Sequence, residues 1–187
     1  IVLNIIMENK KKKPAYEVID DFVPDYTNQP IIKILSGKTF PWYLSSKVFE
    51  KENEHWNSQH FHMLYNNKHH SKSNFYSLAQ PIINKLDPAI ILRVKVNCTP
   101  WTKDIIKFPF HTDTNFKSKT CVYYVNDNNG YTYFEDGSKV YSKARRLIRF
   151  DSNIKHSGTT HTDAKHRFVI NINYIPKEMI TYEKVQA

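Results

Sequence analysis

Four residues of this chain have the types and spacing to hold a metal ion with an anion beside it: His111, Asp113, His156 and Arg167. In an extended chain side chains alternate faces, so His111 and Asp113 point the same way and can grip one ion between them. In a chain with 9 His the His-x-Asp tripeptide by itself is a weak signal, and a third ligand has to come from further along. A second copy, His161-Thr162-Asp163, serves as an internal control. After it comes His166, too near in sequence to arrive on a separate strand, whereas the first copy has His156 waiting beyond several strand-like runs. The second copy reads as a decoy in a loop.

Two imidazoles and one carboxylate on one face of an ion, with the remaining positions open, make the 2-His-1-carboxylate arrangement used by non-haem Fe(II) oxygenases. The open positions admit a co-substrate and dioxygen. A co-substrate carboxylate inside a barrel calls for a planar, permanently charged partner, which a guanidinium provides and an ammonium does not. Lys outnumbers Arg here 22 to 5, so an arginine opening the apolar run Arg167-Phe168-Val169-Ile170-Asn171-Ile172-Asn173-Tyr174 is more than composition would place there.

On these residues the chain resembles the 2-oxoglutarate and Fe(II) dependent oxygenases, specifically their prolyl-4-hydroxylase-like branch. The resemblance covers about residues 90 to 175. It runs through the His-x-Asp, the strand Thr120 to Asn126, Asn129-Gly130-Tyr131-Thr132-Tyr133-Phe134, Arg146 to Phe150, His156 and Arg167. It implies a mainly β fold: a double-stranded β-helix, or jelly roll, with N-terminal helices packed on the outside of one sheet. It also implies Fe(II) on His111, Asp113 and His156, with Arg167 on the distal carboxylate of 2-oxoglutarate. Tyr124 matches a strand tyrosine that shares that carboxylate in some relatives, and Asn97 stands where another branch uses an asparagine on the co-substrate. Two positions depart from the pattern. Thr99 replaces a frequent tyrosine, and Asn129-Gly130 replaces the usual Gly-Gly, a turn still open to this chain because Asn tolerates the left-handed conformation.

The activity implied is hydroxylation of an unactivated C–H bond with O2, releasing succinate and CO2, on a protein or peptide and in prolyl-hydroxylase fashion. Two other classes stay open. A nucleic-acid dealkylase or nucleobase oxidase is suggested by the formal charge of +9 and by Asn97, although no base-flipping signature is visible. A non-catalytic jelly-roll binding module is the third, disfavoured because a binder has no reason to keep the metal set and Arg167 together.

At 187 residues and 40% hydrophobic the chain fits one domain over 14–187, preceded by a basic, disordered tail over 1–13 in which Met7 is a candidate natural start. Lys, Asn and Ile abundance with 4 Gly points to a coding bias that spreads lysine over the surface. The apolar stretch 1–7 is too short to cross a membrane. Cys98 and Cys121 read as free thiols of a reducing compartment, so a cytoplasmic protein is expected.

In chain order, Tyr16 to Asp20 reads as an opening strand and Asp21 to Pro24 as the turn into a helix ending near Leu35. Trp42, Trp56, Phe61, Tyr65, Phe75 and Tyr76 read as core aromatics. His55, His60, His62, His69 and His70 have no cysteine among them and read as an exposed loop. Phe75, Leu78, Ile82 and Leu86 recur at helical steps, with Pro81 expected to kink the helix. Ile90 to Val96 is strand-like and delivers Asn97 to the barrel mouth, and Trp101 in the following loop is a candidate substrate contact or, equally, a packed surface cover. Asp136-Gly137 marks a tight hairpin. On the last strand Phe168, Ile170, Ile172 and Tyr174 share one face, expected against the helices. Arg167, Val169, Asn171 and Asn173 share the other, expected in the cavity.

Overall fold

Strand alternation and hairpin chemistry become two sheets in the computed structural model, which describes residues 15–45 and 59–180. The basic tail, His55 and Trp56 lie outside the described residues. The large sheet orders β1 (Tyr16–Ile19), β9 (Leu147–Asp151), β6 (Lys119–Tyr124), β11 (His166–Pro176), β5 (Pro88–Pro100), β3 (Gln59–Asn66) and β2 (Tyr43–Ser45), with the short β4 (Ser71–Lys72) paired to β3. The small sheet orders β10 (His156–Gly158), β7 (Tyr131–Phe134) and β8 (Lys139–Tyr141). Every named pairing is antiparallel. Gly137 (φ 84°) supplies the left-handed residue that lets β7 turn back into β8, as the Asp-Gly pair predicts.

The alternation of β11 decides where the two cores lie. Phe168, Ile170, Ile172 and Tyr174 are buried on the outer face of the large sheet with Ile31 and Leu35 of α1 (Asp25–Leu35) and Ile82 and Ile83 of α2 (Gln80–Leu86). Val169 faces the other way and packs with Val122, Tyr124, Phe134, Ile148 and Phe150 between the two sheets. The side of β9 that sequence pattern left open is thereby settled: Leu147 joins the helix-side core, while Ile148 and Phe150 join the inter-sheet core. Truncating a fully buried member such as Ile170 to alanine costs about 2–5 kcal/mol.

Helix α1 is fastened to the sheet by polar contacts as well as apolar ones. Asn28, fully buried, donates to the Val125 carbonyl (2.9 Å) and accepts from the Tyr123 hydroxyl (2.7 Å), so neither end of its amide is left unpaired in the core. The second helix is shorter than the apolar periodicity predicts. Tyr76–Leu78 forms a 3-10 turn and α2 starts at Gln80, which puts Pro81 in the first turn, where its missing N–H costs no helical bond and it begins the helix instead of kinking it. No described helix is long and apolar enough to cross a membrane.

The histidine-rich segment corrects another expectation. His60 and His62 lie in β3, and His62 is buried, its ring nitrogens 2.7 Å from the Pro41 carbonyl and 2.7 Å from Ser73 Oγ. Polar neighbours in sequence suggest a loop, but alternation along β3 turns His62 into the core on the side of Leu64 and sends Phe61 and Met63 toward the opposite face of the sheet, where the cavity lies. His69 and His70 do sit in an exposed turn. Cys98 and Cys121 are buried and unpaired on β5 and β6, two strands separated by β11. Burial pushes the Cys98 thiol up to about 12.

Candidate metal centre

His111 and Asp113 come from the irregular segment between β5 and β6, which is held in place by the backbone of the strand that carries the third residue. His111 N–H donates to the His156 carbonyl and His156 N–H to the His111 carbonyl, each at 3.0 Å, while Asp113 N–H donates to the Ser152 carbonyl at 3.0 Å. These main-chain bonds bring the two halves of the motif side by side. One ligand-capable atom from each of His111, Asp113 and His156 lies within 4.8 Å of the others, a set that can hold one metal ion. The imidazole rings of His111 and His156 have centroids 4.7 Å apart, and His156 Nε2 is 3.8 Å from Asp113 Oδ2.

Orientation is set by neighbours that sequence reasoning did not single out. His156 Nδ1 lies 3.0 Å from the Ile154 carbonyl; it donates there, which leaves the Nε2 lone pair directed at the carboxylate. Asp113 Oδ1 accepts from Arg93 (2.8 Å), and Oδ2 accepts from Thr120 Oγ1 (2.8 Å) and Asn173 Nδ2 (2.9 Å). Arg93 is itself braced, donating Nε–H to Asn173 Oδ1 at 2.8 Å. Burial acts to raise the Asp113 pKa, but the charge of Arg93, the nearby His156 and the bonds from Asn173 and Thr120 outweigh it and hold the carboxyl below its ordinary value. Burial, in the main, lowers the pKa of His156, against the pull of Asp113. At neutral pH the group is therefore a carboxylate beside a neutral imidazole, the state in which both bind metal. A signal for Arg93 does exist in sequence: Arg93-Val94-Lys95-Val96-Asn97 alternates, which puts Arg93 on the face of Asn97.

The three groups line a cavity of about 460 Å³ between the sheets, whose wall also includes Asn97, Val122, Thr132, Arg167 and Val169. Arg167 is 3% exposed. Its Nε–H donates to Ser142 Oγ (2.9 Å), its guanidinium carbon lies 5.6 Å from the centroid of the Tyr124 ring, and among the described residues it meets no carboxylate. A buried guanidinium without an anion is costly, and stacking on an aromatic face relieves part of that cost. Gly130 makes room for it, since a Cβ there would stand 2.8 Å from Arg167 Cδ and 2.9 Å from the Thr160 carbonyl. The Asn129-Gly130 turn therefore works by close approach. Asn129 does not use the left-handed conformation that asparagine tolerates.

The remaining candidates fall in different places. Asn97 lines the cavity with a buried Oδ1 that has no partner among the described residues. Tyr124 is fully buried behind Arg167, and its hydroxyl donates to Thr132 Oγ1 at 2.8 Å, so that Thr132 stands between it and the cavity. Burial pushes its phenol up to about 12. Trp101 lies away from the cavity, 54% exposed, donating Nε1–H to the Thr162 carbonyl at 2.9 Å beside Lys165 and His166.

No protein-family profile matches the sequence, and no curated protein matches it. Solved structures do. An oxidoreductase of the 2OG-Fe(II) oxygenase family from Burkholderia pseudomallei superposes with TM-score 0.61 at 8% identity, over 86% of this chain and 85% of that one. The chain has the fold of the 2-oxoglutarate and Fe(II) dependent oxygenases. A prolyl hydroxylase in complex with a hypoxia inducible factor peptide fragment, from Trichoplax adhaerens, gives TM-score 0.57 at 14% identity over 88% and 84%. HygX from Streptomyces hygroscopicus, solved with nickel and 2-oxoglutarate, gives 0.52 at 8% over 92% and 87%. Other prolyl hydroxylases recur among the matches. The double-stranded β-helix and its outer helices are thus as the sequence resemblance implies.

Proposed function

We propose that this protein is an Fe(II) and 2-oxoglutarate dependent dioxygenase in which His111, Asp113 and His156 ligate the metal and Arg167 binds the distal carboxylate of 2-oxoglutarate. The observation that carries this reading is the pairing of a three-residue metal set with a buried, anion-free guanidinium in one cavity. The donor set fits the group: two imidazoles and a carboxylate suit ferrous iron and leave positions open. Fe(II) held there supplies, with 2-oxoglutarate and O2, the oxidation of a substrate C–H bond to C–OH coupled to formation of succinate and CO2.

The chain's own residues provide placement. Ile154 fixes the His156 tautomer, while Arg93, Thr120 and Asn173 fix the Asp113 carboxylate. Ser142 and the Tyr124 ring hold Arg167 with its two terminal nitrogens uncommitted among the described residues, the fork that a carboxylate meets with two parallel bonds. In this arrangement Tyr124 serves the co-substrate through Arg167, and Asn97, on the cavity wall with an amide N–H that can donate to a co-substrate oxygen, is the candidate for direct contact. Val122 and Val169 line the walls and keep water from the co-substrate.

For the substrate, a protein or peptide side chain hydroxylated in the manner of prolyl hydroxylases is the reading favoured by the recurrence of those enzymes among the structural neighbours. The test is calorimetric titration of metal-free protein with Mn(II) and then 2-oxoglutarate, followed by assay of succinate with Fe(II) and O2. The expected result is one metal per chain, metal-dependent 2-oxoglutarate binding and succinate release. Absence of metal binding overturns the proposal.

A further inference from the structure

Besides Arg167 and Arg93 the cavity wall carries a third cation, Lys95, that the oxygenase reading leaves without a task. Alternation along β5 puts Arg93, Lys95 and Asn97 on one face, and all three line the cavity. Arg93 is committed to Asp113 and Asn173, and Asn97 lies one step closer to Arg167, whose row pairs with Thr99. Lys95 sits between them, opposite Asn171 on β11 and Met63 on β3. Among the described residues its ammonium reaches no carboxylate and no hydrogen-bond acceptor, and its recorded contact is the face of Phe61, with Nζ 5.7 Å from the ring centroid.

Burial, and then the neighbouring charge of Arg93, lowers the Lys95 pKa to about 8, with Asp113 opposing. The group is still mostly cationic at neutral pH, so it carries a desolvation cost that an incoming anion would offset. Arg167 stands four residues along the paired strands from the Lys95 row, about 13 Å at ~3.3 Å per residue. The two cations therefore face different stretches of the cavity. Around Lys95 the wall is apolar, with Phe61 and Met63 beside it and Phe110, 41% exposed, also lining the cavity. Asn97 and Asn171 flank it with buried amide oxygens that have no partner among the described residues and call for N–H donors.

We infer that Lys95 is a specificity residue, binding a carboxylate carried by the molecule to be oxidised. The inference rests on the oxygenase reading of the same cavity. The orphaned amide oxygens beside Lys95 favour a carboxylate that arrives together with amide N–H groups, as an acidic residue of a peptide does, over a free small acid.

The test uses the full chain loaded with Mn(II) and N-oxalylglycine, an inert stand-in for 2-oxoglutarate, and measures binding calorimetrically. The probes are a capped proline peptide with glutamate beside the proline, its glutamine twin, and capped glutamate against capped glutamine. The wild-type protein is expected to prefer the glutamate member by about tenfold, the value of one charge-assisted bond. Lys95→Met levels the pair, Lys95→Arg keeps the preference, and affinity for N-oxalylglycine stays within about twofold of wild type in both. A preference in the peptide pair assigns the carboxylate to a peptide, and a preference confined to the single-residue pair assigns it to a small acid. Equal affinities in both pairs overturn the inference, as does a loss of N-oxalylglycine binding in Lys95→Met comparable to that in Arg167→Lys. Failure of Mn(II) to bind the wild-type chain at the outset sinks the oxygenase reading itself, whereas normal metal and analogue binding without a glutamate preference removes Lys95 alone.

Discussion

The chain writes His-Thr-Asp twice and gives the two copies opposite tasks. At 111–113 the imidazole and carboxylate converge on His156 at the wall of a cavity, with the remaining hydrogen-bond capacity of Asp113 filled so as to aim it. At 161–163 the same residues are spent on structure: His161, fully buried, has Nε2 3.0 Å from the Ala164 carbonyl, and Asp163 Oδ1 accepts from Asn129 N–H at 2.9 Å. Thr162 completes a clamp on Asn129, its N–H reaching Oδ1 at 2.9 Å and its Oγ1 accepting from Nδ2 at 2.7 Å. That clamp steadies the turn before Gly130, and so the ground on which Arg167 rests. A tripeptide becomes a candidate metal site when a distant strand brings the third donor; otherwise the same donors satisfy local backbone.

The sharpest way to break the comparison is to delete each copy. Replacing both His111 and His156 with alanine is expected to abolish Mn(II) binding and succinate formation, whereas Asp163→Ala is expected to retain metal affinity and cost about 1 kcal/mol of stability, read by chemical denaturation. Metal binding that survives the first change, or disappears with the second, would exchange their assignments. Arg167→Lys keeps charge and loses the fork, so the 2-oxoglutarate requirement should rise about tenfold or more with metal affinity unchanged. An unaltered requirement in steady-state kinetics removes Arg167 from that role.

Smaller effects sharpen the contrast. Asn173→Ala takes one donor from Asp113 without removing a ligand, and metal affinity is expected to fall about tenfold in the same titration. No change would mean that Arg93 and Thr120 suffice. The smallest effect lies in pH. Burial lowers the pKa of both His161 and His156 from an ordinary 6.5, so the unfolded chain takes up these protons more readily than the folded one. Their contribution to stability is full above about pH 6.5 and is lost as pH falls from there toward the depressed folded values. Denaturation midpoints of the metal-free protein should drop between about pH 7 and about pH 5, and His161→Gln should flatten part of that drop. An identical slope in the variant would show that His161 takes up no extra proton on unfolding.

Much of this architecture is legible in the chain because the signals are local. The alternation over 167–174 assigns both faces of β11, Asp136-Gly137 marks the hairpin between β7 and β8, and the branched residues before Asn97 mark β5. Pro81 was misread for a local reason: a proline fits the first turn of a helix as well as it kinks a longer one, and the periodicity over Phe75 to Leu86 spans both possibilities. The polar residues flanking the histidine cluster suggest a loop and hide His62, because they lie outside the short stretch of β3 in which His62 and Leu64 share the buried face. Trp101 was placed near the substrate by sequence proximity to Asn97, yet β5 continues through Pro100 and carries it past the cavity.

The sequence alone determined that one His-x-Asp had a distal histidine and an arginine to work with, since residue type and strand periodicity are written position by position. Only the tertiary structure decided that Arg93, Thr120 and Asn173 hold Asp113, that Ser142 and Tyr124 hold Arg167, and that Lys95 is left free in the same wall among the described residues. These are contacts between strands far apart in the chain, and the satisfaction of a buried charge depends on which groups surround it in space, a property that no stretch of sequence carries by itself.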